Sequence, residues 1–310
     1  MSRNDLSAKL DEWADDAQSH GFRSGTTEST FEPGRPKRDR RKPSAKRRAA
    51  DLTLTDADRE TADTETEFAD ADMQRLYARG YFDRLIGQVK GGKEATVYLV
   101  GLGDELFAAK VYADIDARTF RDDSAYWAGI TITDARIAKA MKHRTRAGQA
   151  ARAAFWVGRE YAYLWQLHRA GLPVPRPAVG PEATAISAAG AVVLMEFIGE
   201  GDVPAPRLSD VRLTGAEAES AYTQSAAILV RLAELGLVHG DFSTYNLLWH
   251  RGKVVMIDVP QMLELRNGRT AHELLARDVS SLVTSFRRLR VNADEAALRR
   301  IVFAAVDRHS

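Results

Sequence analysis

Three oxygen-bearing side chains in the C-terminal half have the types and spacing for phosphoryl-transfer chemistry. Asp241 and Asn246 stand five residues apart in Leu237-Val-His-Gly-Asp-Phe-Ser-Thr-Tyr-Asn-Leu-Leu-Trp249, and Asp258 closes Lys253-Val-Val-Met-Ile-Asp258. Asn246 and Asp258 offer hard oxygen ligands of the kind Mg²⁺ takes, while Asp241 remains to orient or deprotonate an incoming hydroxyl or water. Each residue alone suits a turn, since Asp, Asn, Ser and Gly favour turns and caps through their own hydrogen bonds. As a set they do not, because Asp258 ends an apolar strand and has no turn to make before Pro260.

The elements that must position them follow from the pattern. If His250-Arg251-Gly252-Lys253 is a two-residue reversal, position 246 falls opposite 257 and 245 opposite 258, so Asn246 and Asp258 reach the same end of one hairpin. The Ala- and Leu-rich stretch from Ala216 to Leu235 predicts a helix that leads into His239, and Ala271 to Leu289 predicts another. Upstream, Leu85 to Val89, Thr96 to Val100 and Phe107 to Tyr112 predict three strands, the first two joined by a turn carrying Gly91, Gly92 and Lys93. Glycines there let backbone amides approach phosphates closely. Lys110 is a lone lysine amid apolar neighbours in the third strand and suits neutralisation of α- and β-phosphates. Phe155 to Leu167 predicts a helix ended by Gly171 and Pro173, and its Glu160 is the natural ion-pair partner for Lys110. Ala191 to Ile198 predicts a buried strand ending in Glu196-Phe-Ile-Gly199, a crossover whose backbone can read an adenine edge.

Composition bounds the whole. A chain of 310 residues with 45% apolar content can build two lobes around a sizeable core, and 44 Lys plus Arg against 43 Asp plus Glu leave no global field. With no cysteine, disulfides, thiolate metal sites and cysteine nucleophiles are excluded. No apolar run approaches the roughly 20 residues that span a bilayer, and no signal-peptide core follows Met1, so a soluble, cytoplasmic protein without a membrane partner is expected. Residues 1–65 are poor in aliphatic side chains and read as a disordered tail. Within it Arg35 to Arg48 holds nine basic residues and one acidic residue. Two readings stand side by side: a solvated tail that neutralises the acidic stretch beside it, or an arm for RNA whose binding would be salt-sensitive. Order is expected from about Phe68, where Met73, Leu76, Tyr77 and Tyr81 recur at helical spacing and Gly80 marks a stop.

Several stretches in order resemble the RIO family of atypical kinases: Gly92-Lys-Glu-Ala-Thr-Val-Tyr98, Ala109-Lys-Val-Tyr112, Phe120 to Tyr126, Trp156 to Pro173, Leu194-Met-Glu-Phe197, Val238 to Asn246, Ile257-Asp-Val-Pro-Gln261 and Glu273 to Ser280. Gly91 stands where that family often has Ser or Thr, and Pro260 where Ser is usual. The resemblance implies an α+β, two-lobed protein-kinase-like fold. Residues 66–198 would be a small β-rich N-terminal lobe with an insertion at 113–154 and a hinge at 196–198, and 199–310 a mainly helical catalytic lobe. It further implies ATP and Mg²⁺ as cofactors, Gly92, Lys93, Lys110, Glu160, Glu196 and Ile198 around the nucleotide, Asn246 and Asp258 on the metal, and Asp241 as the catalytic residue. Asp258 would itself be able to take the phosphoryl group.

The expected activity is thus that of an atypical serine/threonine protein kinase or ATPase, with a protein Ser/Thr, water or Asp258 as acceptor. A small-molecule phosphotransferase of the aminoglycoside or choline kinase type uses a similar His-Gly-Asp loop. With 52 residues after Asp258, little material is left for a pocket that encloses a sugar or amine. A non-catalytic nucleotide-binding scaffold or RNA-binding module is the third reading, opposed by the complete set of Lys110, Glu160, Asp241, Asn246 and Asp258.

Overall fold

Strand-forming residues on either side of two tight turns make the first layer. In the computed structural model, which describes residues 68–92, 95–112 and 146–309, β1 (Arg84–Gly91), β2 (Ala95–Leu102) and β3 (Glu105–Tyr112) form an antiparallel meander. β4 (Val192–Glu196) returns from far along the chain to complete the order β1-β2-β3-β4. Irregularities between Leu85 and Gly87 and between Gln88 and Lys90 bend β1 against β2. Helix α1 (Ala71–Ala78) precedes the sheet, with the Asp70 carboxylate accepting from the backbone N–H groups of Asp72 and Met73 at 3.0 and 2.9 Å and with Met73 and Leu76 buried. The tail at 1–65 with its basic run at 35–48, Lys93, and positions 113–145 of the insertion expected at 113–154 lie outside the described residues.

Helix α2 (Arg146–Arg169) crosses one face of this sheet. It begins nine residues before the expected start at Phe155, because Ala150, Ala151, Ala153 and Ala154 carry the helix upstream at little entropic cost. Tyr161 ties it to β4, donating to Val192 O at 3.2 Å and accepting from the Leu194 amide at 2.8 Å. A short helix α3 (Ala183–Ala188) that residue pattern did not reveal bridges α2 and α1.

Beyond β4 the chain crosses into a mainly helical lobe. Two small ribbons, β5 (Gly199–Glu200) with β6 (Val203–Pro204) and later β7 (Leu237–Val238) with β10 (Leu263–Glu264), frame helix α4 (Gly215–Glu234) and the hairpin β8 (Leu247–His250) with β9 (Lys253–Met256). Thr214 and Glu217 form a reciprocal capping box at the start of α4. Helix α5 (Arg269–Arg288) buries Ala271, Leu275, Val279, Leu282, Val283 and Phe286 against α4 and β7, and α6 (Glu295–His309) packs across both helices. The arrangement is α+β and two-lobed, with a β-sheet N-terminal lobe and a helical C-terminal one, as the resemblance implies. Among the described residues no helix is long and apolar enough to cross a membrane.

Candidate active site

The site lies where the sheet meets the second lobe, and its centre is the Lys110 ammonium. Lys110 is near the end of β3, paired with Val97 on β2 and Val193 on β4, so its backbone is held on both sides. Its Nζ donates to Glu160 Oε1 at 2.7 Å and to Asp258 Oδ1 at 2.9 Å. One cation therefore joins β3, α2 and the end of the hairpin. The Glu160 side chain is 1% exposed and that of Lys110 12%, whereas Asp258 is 44% exposed and faces the cleft. Burial alone would lower the lysine pKa, but the charges of Asp258 and Glu160 outweigh it and hold the ammonium well above its usual range. Tyr112, two residues on, donates its hydroxyl to Glu160 Oε2. Burial and the Glu160 charge push the phenol up, so it stays a donor. Glu160 is thus fixed through both oxygens, as a buried carboxylate requires.

Asp258 arrives through the β8–β9 hairpin. Arg251 (φ 50°) and Gly252 (φ 75°) are the two central residues of a reversal whose register pairs His250 with Lys253 and Leu247 with Met256. The pairing continues into Ile257 N–H donating to Asn246 O at 2.9 Å, the register expected from the turn residues. Asp258 has a left-handed backbone, φ 63°, which is uncommon for a residue with a Cβ. Gln261 Nε2 donates to its carbonyl at 2.6 Å, and Arg159 on α2 donates to the carbonyls of Pro260 and Met262, the first at 2.9 Å.

Asp241 and Asn246 belong to the loop between β7 and β8. Asn246 Nδ2 donates to both Asp241 O and Asp241 Oδ2 at 2.9 Å. With its amide nitrogen committed to the loop, Asn246 presents the amide oxygen as its remaining polar atom. Water withdrawn from around the Asp241 carboxyl raises its pKa, an effect the Asn246 bond opposes and the Asp258 charge reinforces. A raised pKa makes a better proton acceptor.

The loop is pinned from below by residues the sequence reading did not single out. Asp278 on α5 is buried and accepts from Gly240 N–H at 2.8 Å and from Phe242 N–H at 3.0 Å, and Arg277 donates to Gly240 O. Gly240 takes φ 83° between these anchors, a conformation that a side chain would oppose. Burial lifts the Asp278 pKa to about 6, against its two backbone bonds. His239 is buried, with Nδ1 accepting from Asp241 N–H at 3.3 Å and Nε2 lying 3.4 Å from Ile257 O. Burial lowers its pKa to about 4, so the ring is neutral near pH 7. The signal for Asp278 was present: it sits on the apolar stripe of Leu275, Val279 and Leu282, where a carboxylate needs a partner.

The remaining residues expected around a nucleotide lie at the β1–β2 turn and at the end of β4. Gly92 donates its N–H to Ala95 O at 3.0 Å and closes the β1–β2 turn. Lys90 at its base is held below the usual lysine pKa by burial and then by the Arg207 charge, with Asp210 opposing. Glu196 ends β4 opposite Phe107, and its Oε2 accepts from Arg176 N–H at 3.1 Å. Ile198 O accepts from Ala205 N–H at 2.9 Å, tying the segment after β4 to the start of the second lobe. Asn246 and Asp258 bring two oxygen donors to one end of the hairpin, and among the described residues no cluster of three His, Asp or Glu side chains forms a metal cage. Such a sparse oxygen set fits Mg²⁺, which keeps water and phosphate oxygens for most of its shell.

A family model described as the RIO domain matches residues 96–298. The RIO-type serine/threonine-protein kinase Rio1 of Haloferax volcanii is 34% identical over 255 residues, covering 81% of this chain and 80% of that protein. The serine/threonine-protein kinase RIO1 of Caenorhabditis elegans is 32% identical over 234 residues, 75% of this chain and 42% of its own length. The human serine/threonine-protein kinase RIO3 is 37% identical over 152 residues, 49% of this chain and 27% of that protein. The chain thus spans most of the archaeal relative and less than half of the animal ones.

Proposed function

Because this chain belongs to the RIO domain family of atypical serine/threonine kinases, we propose that it uses Mg·ATP to transfer a phosphoryl group either to a protein Ser/Thr hydroxyl or to its own Asp258. The observation that carries the reading is the double ion pair of Lys110 with Glu160 and Asp258 at 2.7 and 2.9 Å, which gathers three separate elements around one phosphate-seeking cation. Mg²⁺, bound by Asn246 and Asp258, would neutralise charge on the phosphate oxygens.

The chain's own residues do the rest. Lys110 neutralises the α- and β-phosphates, and Glu160 with Tyr112 keeps its ammonium aimed at them. The glycine turn at Gly91 and Gly92 with Lys93 covers the phosphates, and the backbone at Glu196 and Ile198 reads the adenine edge. Asp241, oriented by Asn246, accepts the proton of an attacking hydroxyl. When no hydroxyl is present, an Asp258 carboxylate oxygen attacks the γ-phosphorus, the bond to the β-phosphate oxygen breaks, and ADP leaves, giving an acyl phosphate. The chemistry needs little beyond positioning and charge neutralisation, which is what a preorganised polar site supplies.

Incubation with γ-labelled ATP tests both halves. Label should be retained on the protein, part of it released by hydroxylamine as an acyl phosphate and absent from Asp258→Asn. Label that resists hydroxylamine and maps to Ser or Thr favours hydroxyl transfer alone. Absence of both ATP turnover and label refutes the reading.

A further inference from the structure

Arg159 precedes Glu160 on α2 and is buried, at 5% exposure. A buried guanidinium must be compensated, and here the acceptors are backbone carbonyls of another lobe: Nε donates to Pro260 O at 2.9 Å and Nη2 donates to Met262 O. The rings of Phe155 and Tyr163 flank it at 5.5 and 5.2 Å, one helical turn on either side, and fix its plane. The two carbonyls it grips belong to the segment that follows Asp258, whose left-handed backbone persists only while its surroundings hold it. The same helix thus carries two neighbouring anchors, Glu160 directed to Lys110 and Arg159 directed to the chain beyond Asp258.

The geometry points to Arg159 as a positioning residue that makes the aim of the Asp258 carboxylate depend on the seating of α2. This deepens the reading above and rests on it, because it takes Asp258 to be the metal ligand. Asp258 aligns with Lys110 only when α2 is docked, so one helix sets the phosphate cation and the metal carboxylate together. Arg suits the task and Lys does not replace it, since a planar fork spans two carbonyls while an ammonium offers a point contact.

The test uses the full chain and ATP binding measured by calorimetry across a Mg²⁺ titration and again in excess chelator. Arg159→Met keeps the apolar stem and removes the donors. It should raise the Mg²⁺ concentration needed for half-maximal strengthening of ATP binding by about 10-fold or more, as loss of a group that orients a metal ligand does. Chelator-condition affinity, which depends on Lys110 and the hinge, should change less than about twofold. Arg159→Lys should fall between, and it carries the test alone if Arg159→Met does not fold. An unchanged Mg²⁺ midpoint in a folded variant overturns the proposal. So does a parallel loss of affinity in chelator, which marks a general structural role. A wild-type protein whose ATP binding ignores Mg²⁺ overturns the underlying site reading instead, and is seen before any variant is made.

Discussion

At the scale of residues, the cleft separates carboxylates by what surrounds them. Asp258 touches a cation and faces the cleft, while Asp241 is oriented by an amide, so replacing each should fail differently. Asp258→Asn should weaken Mg·ATP binding and abolish turnover, whereas Asp241→Asn should abolish turnover and largely spare binding. Equal loss of Mg·ATP affinity in the two, read by calorimetry, contradicts that division. Asp278 gives a pH prediction. Its folded pKa of about 6 lies above the ordinary 3.8, so between those values the folded state holds more protons and this group's contribution to stability falls as pH rises. His239, lowered from 6.5 to about 4, works in the opposite sense, losing stability as pH falls. The two offset each other between about pH 4 and 6. Asp278→Asn removes one of them and should lose stability more steeply on acidification across that window than the wild type, measured by urea unfolding at several pH values. It should also cost about 1–3 kcal/mol near neutrality, because an amide cannot accept from both Gly240 and Phe242 without leaving a poor pair.

At the scale of elements, the β8–β9 hairpin converts a turn type into site geometry. Gly252 has φ 75° with open space where a Cβ would go, so Gly252→Ala meets backbone strain and no clash. The expected cost is about 1 kcal/mol, with a weaker Mg²⁺ dependence of ATP binding if the turn sets the register that brings Asn246 to Asp258. Thermal unfolding and Mg²⁺ titration of the same variant read the two effects separately. The α4 capping box belongs to the same scale: Thr214→Ala removes an acceptor for Glu217 N–H and should cost about 1 kcal/mol without altering nucleotide affinity, since the cap is exposed at the N-terminal end of α4, whereas α4 meets the β8–β9 hairpin through Gln224, ten residues further along.

At the scale of the whole molecule, the cleft is held by contacts that cross between the lobes: Lys110 with Asp258 and Arg159 with Pro260 and Met262. A ligand that joins the same surfaces should stabilise the protein as a unit. Mg·ATP at a hundredfold excess over its Kd should add about 2.7 kcal/mol by mass action. Deleting residues 1–65 should leave that increment unchanged, because that stretch is poor in aliphatic side chains able to dock. If the run from Arg35 to Arg48 is an arm for RNA, the same deletion should remove binding that weakens steeply with salt. A deletion variant with a smaller Mg·ATP increment in calorimetric melting would assign the tail a part in the site.

The chain by itself determined the alternation of strand and helix, the turn at Arg251 and Gly252, and hence the register that sets Asn246 beside Ile257. Those features are local, and period and turn chemistry encode them. The order Lys110, Glu160, Asp241, Asn246, Asp258 was legible there too, and with it the resemblance to the RIO family that the family model bears out. What the tertiary structure alone decided was convergence. Lys110 accepts Asp258 as a second partner across 148 positions of chain, Arg159 spans 101 to reach Pro260, and Asp278 reaches back 38 to hold Gly240. No local rule points a side chain that far. A buried Arg or Asp on an apolar helix face announces that it must find a partner, but only the packing of α2 and α5 says which carbonyls and amides lie opposite.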